Sequence, residues 1–290
     1  MFDMKILIVG SDGVVGHVVS MYFTERGHEV INLKEANVTA DVHKGSFSPY
    51  DPAGLNNIIK RTIPDAIINC AAIVNQAAED DMAGAVWINA YLPHLLEKLT
   101  FGTHTVVVQR STDCVFSGSK GLYTLADMPD AKSFYARTKA IGELVNEKDI
   151  TIRVSLIGPA QDESDGSLLN WFLRQRGEVK GYANAIWTGL TTLEYAKVIE
   201  LLLSQKAHGL FQAAPSASIS KYELLQLFER YFPGDRRVIR VENKRVDKSL
   251  VPFWGDYDIQ VKDYVEQIAE MKKWIEEHKD LYPGYYSDVK

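Results

Sequence analysis

The feature that most constrains this chain is a set of spaced glycines directly behind an apolar run. Lys5-Ile6-Leu7-Ile8-Val9 leads into Gly10-Ser11-Asp12-Gly13-Val14-Val15-Gly16, and a mostly apolar stretch continues to Arg26. An apolar run without alternation reads as a strand buried on both faces. Passing from such a strand straight into a helix calls for a residue without Cβ at Gly10. Gly13 lets the backbone come close to a bound group, and Gly16 lets the helix lie against the strand. The helix N-terminus then offers free N–H groups and a positive dipole end to an anion. The pattern predicts a dinucleotide site in which Gly10, Ser11, Asp12, Gly13, Val14, Val15 and Gly16 cradle the pyrophosphate.

The first 157 residues repeat this strand–helix alternation. Further strands are expected at Glu29–Leu33, Ala66–Asn69, Thr105–Gln109 and Thr151–Ser155. Helices are expected at Val14–Arg26, stopped by Gly27, from Asp51-Pro52 onward, at Met82–Leu99 and at Ser133–Glu147. Such alternation predicts an α/β fold, a Rossmann-type doubly wound parallel sheet with helices on both faces. Gly158–Ser167 is rich in Gly, Pro, Asp and Ser and reads as a loop. It separates a dinucleotide-binding domain, residues 1–157, from a smaller C-terminal α/β region, residues 158–290, expected to bind substrate. Residues 188–214 are expected to return to the main sheet. Helices in this half are read near Leu168–Arg176, Thr192–Leu203, Lys221–Tyr231 and Lys262–His278.

The end of the second strand, Ile31-Asn32-Leu33-Lys34, lacks the acid that usually holds the ribose 2′-hydroxyl of NAD. Lys34 is suited to a 2′-phosphate, so NADP(H) is favoured and NAD(H) stays open. Asp41 and Val42 are spaced to hydrogen-bond the adenine and pack on its ring.

Tyr135-Ala136-Arg137-Thr138-Lys139 places a phenol and an ammonium on one face of a helix. A free tyrosine, with a pKa near 10, is a poor proton shuttle at neutral pH. A neighbouring ammonium favours the phenolate and lowers that pKa. The expectation is that Tyr135 exchanges a proton with a ketone oxygen while Lys139 tunes it and holds the nicotinamide ribose. The apolar run Val106–Val108 leads through Gln109 and Arg110 to Ser111 and Thr112, hydroxyls at a strand end where parallel sheets bind ligands.

With these residues in view, the chain resembles the extended short-chain dehydrogenases, and within them the dTDP-4-dehydrorhamnose reductase type. The resemblance rests on Gly10/Gly13/Gly16, Asn69-Cys70-Ala71-Ala72, Trp87-Ile88-Asn89-Ala90, Ser111-Thr112-Asp113-Cys114-Val115-Phe116-Ser117-Gly118, Tyr135–Lys139 and Arg153–Gly158. It is specific over roughly the first 160 residues and loose beyond them. It implies that Thr112 joins Tyr135 and Lys139 as catalytic residues. It implies cofactor contacts for Cys70, Ala71, Ala72, Asn89 and Ser111 as well as Tyr135 and Lys139. It implies a nucleotide-sugar substrate held by Thr112, Asp113, Cys114, Trp171, Asn184 and Trp187. The implied reaction is NADP(H)-dependent reduction of the 4-keto group of a nucleotide-activated 6-deoxy sugar. The alternatives are a nucleotide-sugar 4-epimerase or epimerase/reductase, and a non-catalytic NADP-binding regulatory subunit of the same fold.

Two departures sharpen the reading. Cys114 stands where the family usually has an aromatic residue. The GDP-fucose synthase type uses a cysteine there with a downstream histidine, but Glu178–Trp187 contains none, so Cys114 reads as pocket lining. Asp113-Cys114 also lacks the glutamate that sugar-nucleotide 4,6-dehydratases need for elimination.

Composition narrows the partners. The 290 residues carry a formal net charge of -6, which argues against a nucleic-acid binder. Two cysteines are too few for a disulfide framework, and the seven histidines show no metal spacing. No apolar run nears the roughly 20 residues that cross a bilayer. The expectation is a soluble cytoplasmic protein without membrane contact, and a homodimer is compatible with it.

Overall fold

The computed structural model describes residues 3–35, 46–47, 51–162, 167–243 and 245–285. Asp41 and Val42 lie outside the described residues. Seven strands form the main sheet: β1 Lys5–Val9, β2 Glu29–Glu35, β3 Ser46–Phe47, β4 Ala66–Asn69, β5 Val106–Ser111, β6 Ile150–Arg153 and β7 Gly209–Gln212. Their order is β7-β6-β5-β4-β1-β2-β3, and every neighbouring pair is parallel. Strand order reverses between β1 and β4, which opens a crevice at their carboxyl ends.

The apolar runs cover both faces of this sheet. Ile6 and Ile8 pack with Ile68, Val108 and Ile152 against the helices Gly16–Glu25 and Thr192–Ser204. Leu7 and Val9 pack with Ile67 and Val107 against Pro52–Thr62 and Leu92–Leu99. Burying each such side chain contributes about 2 kcal/mol, so the unalternated strands are what force the two-sided cover. Asp51 starts its helix by accepting hydrogen bonds from the Ala53 and Gly54 amides, and Gly27 ends the first helix at φ 88°.

Of the element boundaries that differ from expectation, three bear on the site. β5 runs on through Arg110 and Ser111, because its partner β6 pairs as far as Ser111 with Arg153. The expected Met82–Leu99 helix contains a π-helical stretch, Val86–Tyr91, between two α-helical segments. The Tyr135 helix covers only Phe134–Ile141. It stops at Gly142, where a Cβ would lie 2.0 Å from the Asn89 carbonyl oxygen. Glu143 therefore lies outside the helix.

In the second half, Gly177–Tyr182 pairs in parallel with Arg236–Val241. Ala185–Trp187 lies between Ile219–Ser220 and Val246–Asp247. The helices Leu168–Leu173, Lys221–Tyr231 and Tyr264–Glu277 complete a second core around Phe172, Phe228 and Trp274.

The C-terminal segment returns to the glycine turn. His17 Nδ1 lies 2.9 Å from the Gly13 carbonyl oxygen, and its Nε2 lies 2.8 Å from the Tyr282 hydroxyl. A carbonyl only accepts, so Nδ1 carries the proton. Burial lowers the pKa of His17, against an opposing pull from Gly13, and keeps the ring neutral. Nε2 therefore accepts from Tyr282, which itself accepts from Trp274 Nε1 at 3.3 Å. The unfolded chain binds this proton more readily than the folded one, so stability is lost as pH falls below about 6.5. Denaturant titrations should show the unfolding free energy of the wild type falling below that pH more steeply than that of His17→Gln. The difference should reach at most about 1.4 kcal/mol per pH unit. Parallel slopes would remove this assignment.

Candidate functional site

The carboxyl ends of β1, β4 and β5 converge on a cavity of about 490 Å³. Gly10, Gly13, Val14 and Val15 line one side, and Cys70, Ala72 and Asn75 the next. Arg110, Ser111, Thr112, Asp113, Cys114 and Tyr135 form the floor, faced by Val154, Ser155, Leu156, Gly158, Leu168 and Thr192. That size suits a small-molecule site.

The glycine turn is built by close packing. Gly10 adopts φ 74°, and its N–H donates to the Leu33 carbonyl at 2.8 Å. A Cβ on Gly10 would meet the Ala71 backbone at 2.8 Å, and one on Gly16 would lie 1.9 Å from the Gly10 oxygen. Gly13 differs, since its Cβ would meet only the Gly10 oxygen at 3.7 Å. Gly13 therefore faces the cavity, while Gly10, Gly16 and Ala71 hold the turn together behind it. The Ser11 hydroxyl is buried and has no hydrogen-bond partner among the described residues. Asp12 is exposed at the turn.

Asn89 is fully buried and spent on the protein itself. Its Oδ1 accepts from the Ile73 N–H, and its Nδ2 donates to the Ile73 carbonyl and to Thr138 Oγ1. It staples the Ala72 loop to the helix that carries Tyr135. Ser133 caps that helix by accepting from the Ala136 N–H at 3.2 Å, which sets Tyr135 in its first turn. Thr112 caps the short turn Asp113–Val115, accepting from the Cys114 N–H at 3.1 Å.

Thr112 and Tyr135 both line the cavity. Burial pushes the Tyr135 phenol up to about 12. Arg110 opposes that rise, while Cys114 and Asp113 add to it. Burial also raises the Asp113 carboxyl and pushes the Cys114 thiol up to about 11. The Lys139 side chain is buried, donates to the Arg110 carbonyl at 2.6 Å, and is brought down to about 7 by burial and then by the Arg110 guanidinium. Glu143, released from the helix, accepts from Arg153 Nε and Nη2 at 2.8 and 2.7 Å and from Ser111 Oγ at 2.6 Å.

Several residues expected at the site stand outside the cavity lining. Lys34 is exposed at the end of β2, away from the cavity lining. Trp187 is 4% exposed, lies beneath the Lys221 ammonium at 4.5 Å, and donates from Nε1 to Ser155 Oγ at 2.7 Å. Its ring has no free face for stacking; it positions Ser155, which does line the cavity. Asn184 is exposed and donates to the Glu242 carbonyl, and Trp171 stands on the outer face of its helix. Both are absent from the lining.

Sequence reading missed Arg110 and Lys221. Arg110 left a signal, a charge near the end of an otherwise apolar strand. Lys221, brought down to about 8 by burial, is held near Asp113 and Cys114 only by the tertiary fold.

The sheet order, the glycine turn and the Thr112–Tyr135–Lys139 cluster define a protein of the extended short-chain dehydrogenase class. Residues 4–242 match the family model described as the RmlD substrate binding domain, and the chain belongs to that family. It is 27% identical over 172 residues to the probable low-salt glycan biosynthesis reductase Agl14 of Haloferax volcanii, covering 56% of this chain and 57% of that protein. It thus spans little more than half of that relative. It is 27% identical over 218 residues to the dTDP-4-dehydrorhamnose reductase of Burkholderia thailandensis, covering 72% of this chain and 70% of that protein. Among solved structures, the dTDP-4-dehydrorhamnose reductase of Bacillus anthracis in complex with NADP superposes with a TM-score of 0.78 at 19% identity, covering 94% of this chain and 99% of that one. At that identity the likeness speaks for the fold.

Proposed function

We propose that this protein reduces the 4-keto group of a nucleotide-activated 6-deoxy sugar, with NADPH as reductant and Tyr135 as proton donor. The observation that carries the reading is that Thr112 and Tyr135 stand together on the wall of the cavity that Gly10 and Gly13 also line. The residues fit a dinucleotide: Gly13 leaves room above the turn, and the unpartnered Ser11 hydroxyl and the helix N-terminus supply donors. Lys34, exposed at the end of β2, suits a 2′-phosphate, and the NADP complex of the Bacillus anthracis relative supports that choice of cofactor.

When bound, the reduced nicotinamide supplies a hydride. Thr112 holds the keto oxygen by a hydrogen bond, and Tyr135 donates its proton there as charge develops. Asn89 fixes the distance between the Ala72 loop and the Tyr135 helix. Cys114, with its thiol kept neutral, is a poor base, which favours simple reduction over an epimerase/reductase that must draw a proton from the carbon next to the carbonyl.

Incubating the protein with NADPH and a panel of 4-keto-6-deoxy nucleotide sugars should consume reduced-nicotinamide absorbance with at least one of them. No turnover across the panel would overturn the reading.

A further inference from the structure

Two facing walls of the cavity come from distant parts of the chain, and one short segment holds both. The glycine turn carries one wall with Gly13 and Val14, and the stretch with Gly158 and Leu168 faces it. The helical turns Lys279–Leu281 and Pro283–Tyr285 lie at the end of the second half. Tyr282, between them, is 1% exposed, and its hydroxyl meets His17 Nε2 at 2.8 Å. Further on, the Tyr285 hydroxyl accepts from the Ala160 N–H at 3.1 Å and donates to Asn170 Oδ1. Asn170 belongs to the helix Leu168–Leu173, whose first residue lines the cavity.

His17 is held at both ends. Its backbone N–H and its Nδ1 donate to the Gly13 carbonyl, at 3.1 and 2.9 Å. A carbonyl oxygen has two lone pairs, and both are used here. The peptide joining Gly13 to Val14 is planar, so its N–H points opposite to that carbonyl. Rotating it would break two hydrogen bonds at once. The imidazole is kept in place by Tyr282, which accepts from Trp274 Nε1 at 3.3 Å and meets the His17 ring edge-on, with centroids 5.7 Å apart. Glycine packing does not do this work at Gly13. A Cβ would meet backbone closely at Gly10 and Gly16, but at Gly13 only the Gly10 oxygen at 3.7 Å.

We propose that His17 and Tyr282 are positioning residues for the dinucleotide. From the second half of the chain they fix the Gly13–Val14 peptide, so that its N–H is already aimed when the pyrophosphate arrives. A donor aimed in advance needs no ordering on binding, and a released one does. The inference rests on the dinucleotide reading of the cavity and is independent of which sugar is reduced.

The test uses the full chain and isothermal titration calorimetry with NADPH, which reports affinity and stoichiometry separately. Tyr282→Phe keeps the ring and deletes the donor to His17. His17→Leu deletes the link to Gly13. Each should weaken NADPH binding by about fivefold, the effect of one lost hydrogen bond, at full stoichiometry. The double variant should bind no more weakly than the weaker single variant, because the two residues act in series. Phe228→Leu, a truncation elsewhere in the same core, should lower the melting temperature and leave the affinity unchanged. Unchanged affinity in Tyr282→Phe and His17→Leu, losses that multiply in the double variant, or an equal loss in Phe228→Leu would each overturn the inference alone. A wild type that does not bind NADPH would overturn the dinucleotide reading itself, and this inference with it.

Discussion

Replacing Tyr135 by Phe should lower kcat by about 10²–10⁴-fold while the dissociation constant for NADPH stays within a few-fold of wild type. The substitution deletes one hydroxyl from a cavity wall and leaves the ring and its helix in place. Thr112 is no substitute donor, since an aliphatic alcohol is far less acidic than even a phenol pushed up to about 12. The glycine turn keeps all its own packing contacts, so cofactor binding should persist. Fluorescence titration and steady-state kinetics on one preparation separate the two effects. An unchanged kcat would move the proton donor elsewhere, and lost NADPH binding would make Tyr135 a structural residue.

Much of the fold was legible because the sheet is buried on both faces. Lys5–Val9 and Ala66–Asn69 read as strands from apolarity alone, and the structure keeps those bounds. The second half was less legible. Gly177–Tyr182 and Arg236–Val241 carry exposed charges and pair with each other across a long stretch of chain. Short two- and three-residue strands such as Ile219–Ser220 and Ala185–Trp187 have no period to detect.

The site divides along the same line. Spacing alone placed Tyr135 and Lys139 on one helix, but it did not reveal where the ammonium points. Lys139 donates to a backbone carbonyl of β5. Trp187 shows the opposite failure. An aromatic residue in the substrate half invited stacking, yet the lobe buries its ring beneath Lys221 and uses its N–H to fix Ser155. In both cases side-chain direction, which depends on tertiary packing, decided the outcome.

Gly16→Ala should abolish measurable NADPH binding, whereas Gly13→Ala should weaken it and leave the fold intact. The two glycines look alike in sequence and meet different surroundings. An alanine Cβ at 16 would stand 1.9 Å from the Gly10 carbonyl oxygen and 2.8 Å from Ser11 Cα. Both obstacles are backbone, so no rotamer relieves the clash and the helix must move off the turn. Overpacking of this kind costs about 1–3 kcal/mol of stability, and it displaces the helix N-terminus that would hold the pyrophosphate. At 13 the Cβ would meet only the Gly10 oxygen at 3.7 Å, an ordinary contact. It would instead project into the cavity and compete with the ligand. Thermal melting should therefore fall for Gly16→Ala and hold for Gly13→Ala, while fluorescence titration should show weaker NADPH binding in both. A Gly16→Ala protein with wild-type melting and wild-type affinity would mean that the turn is not the dinucleotide cradle.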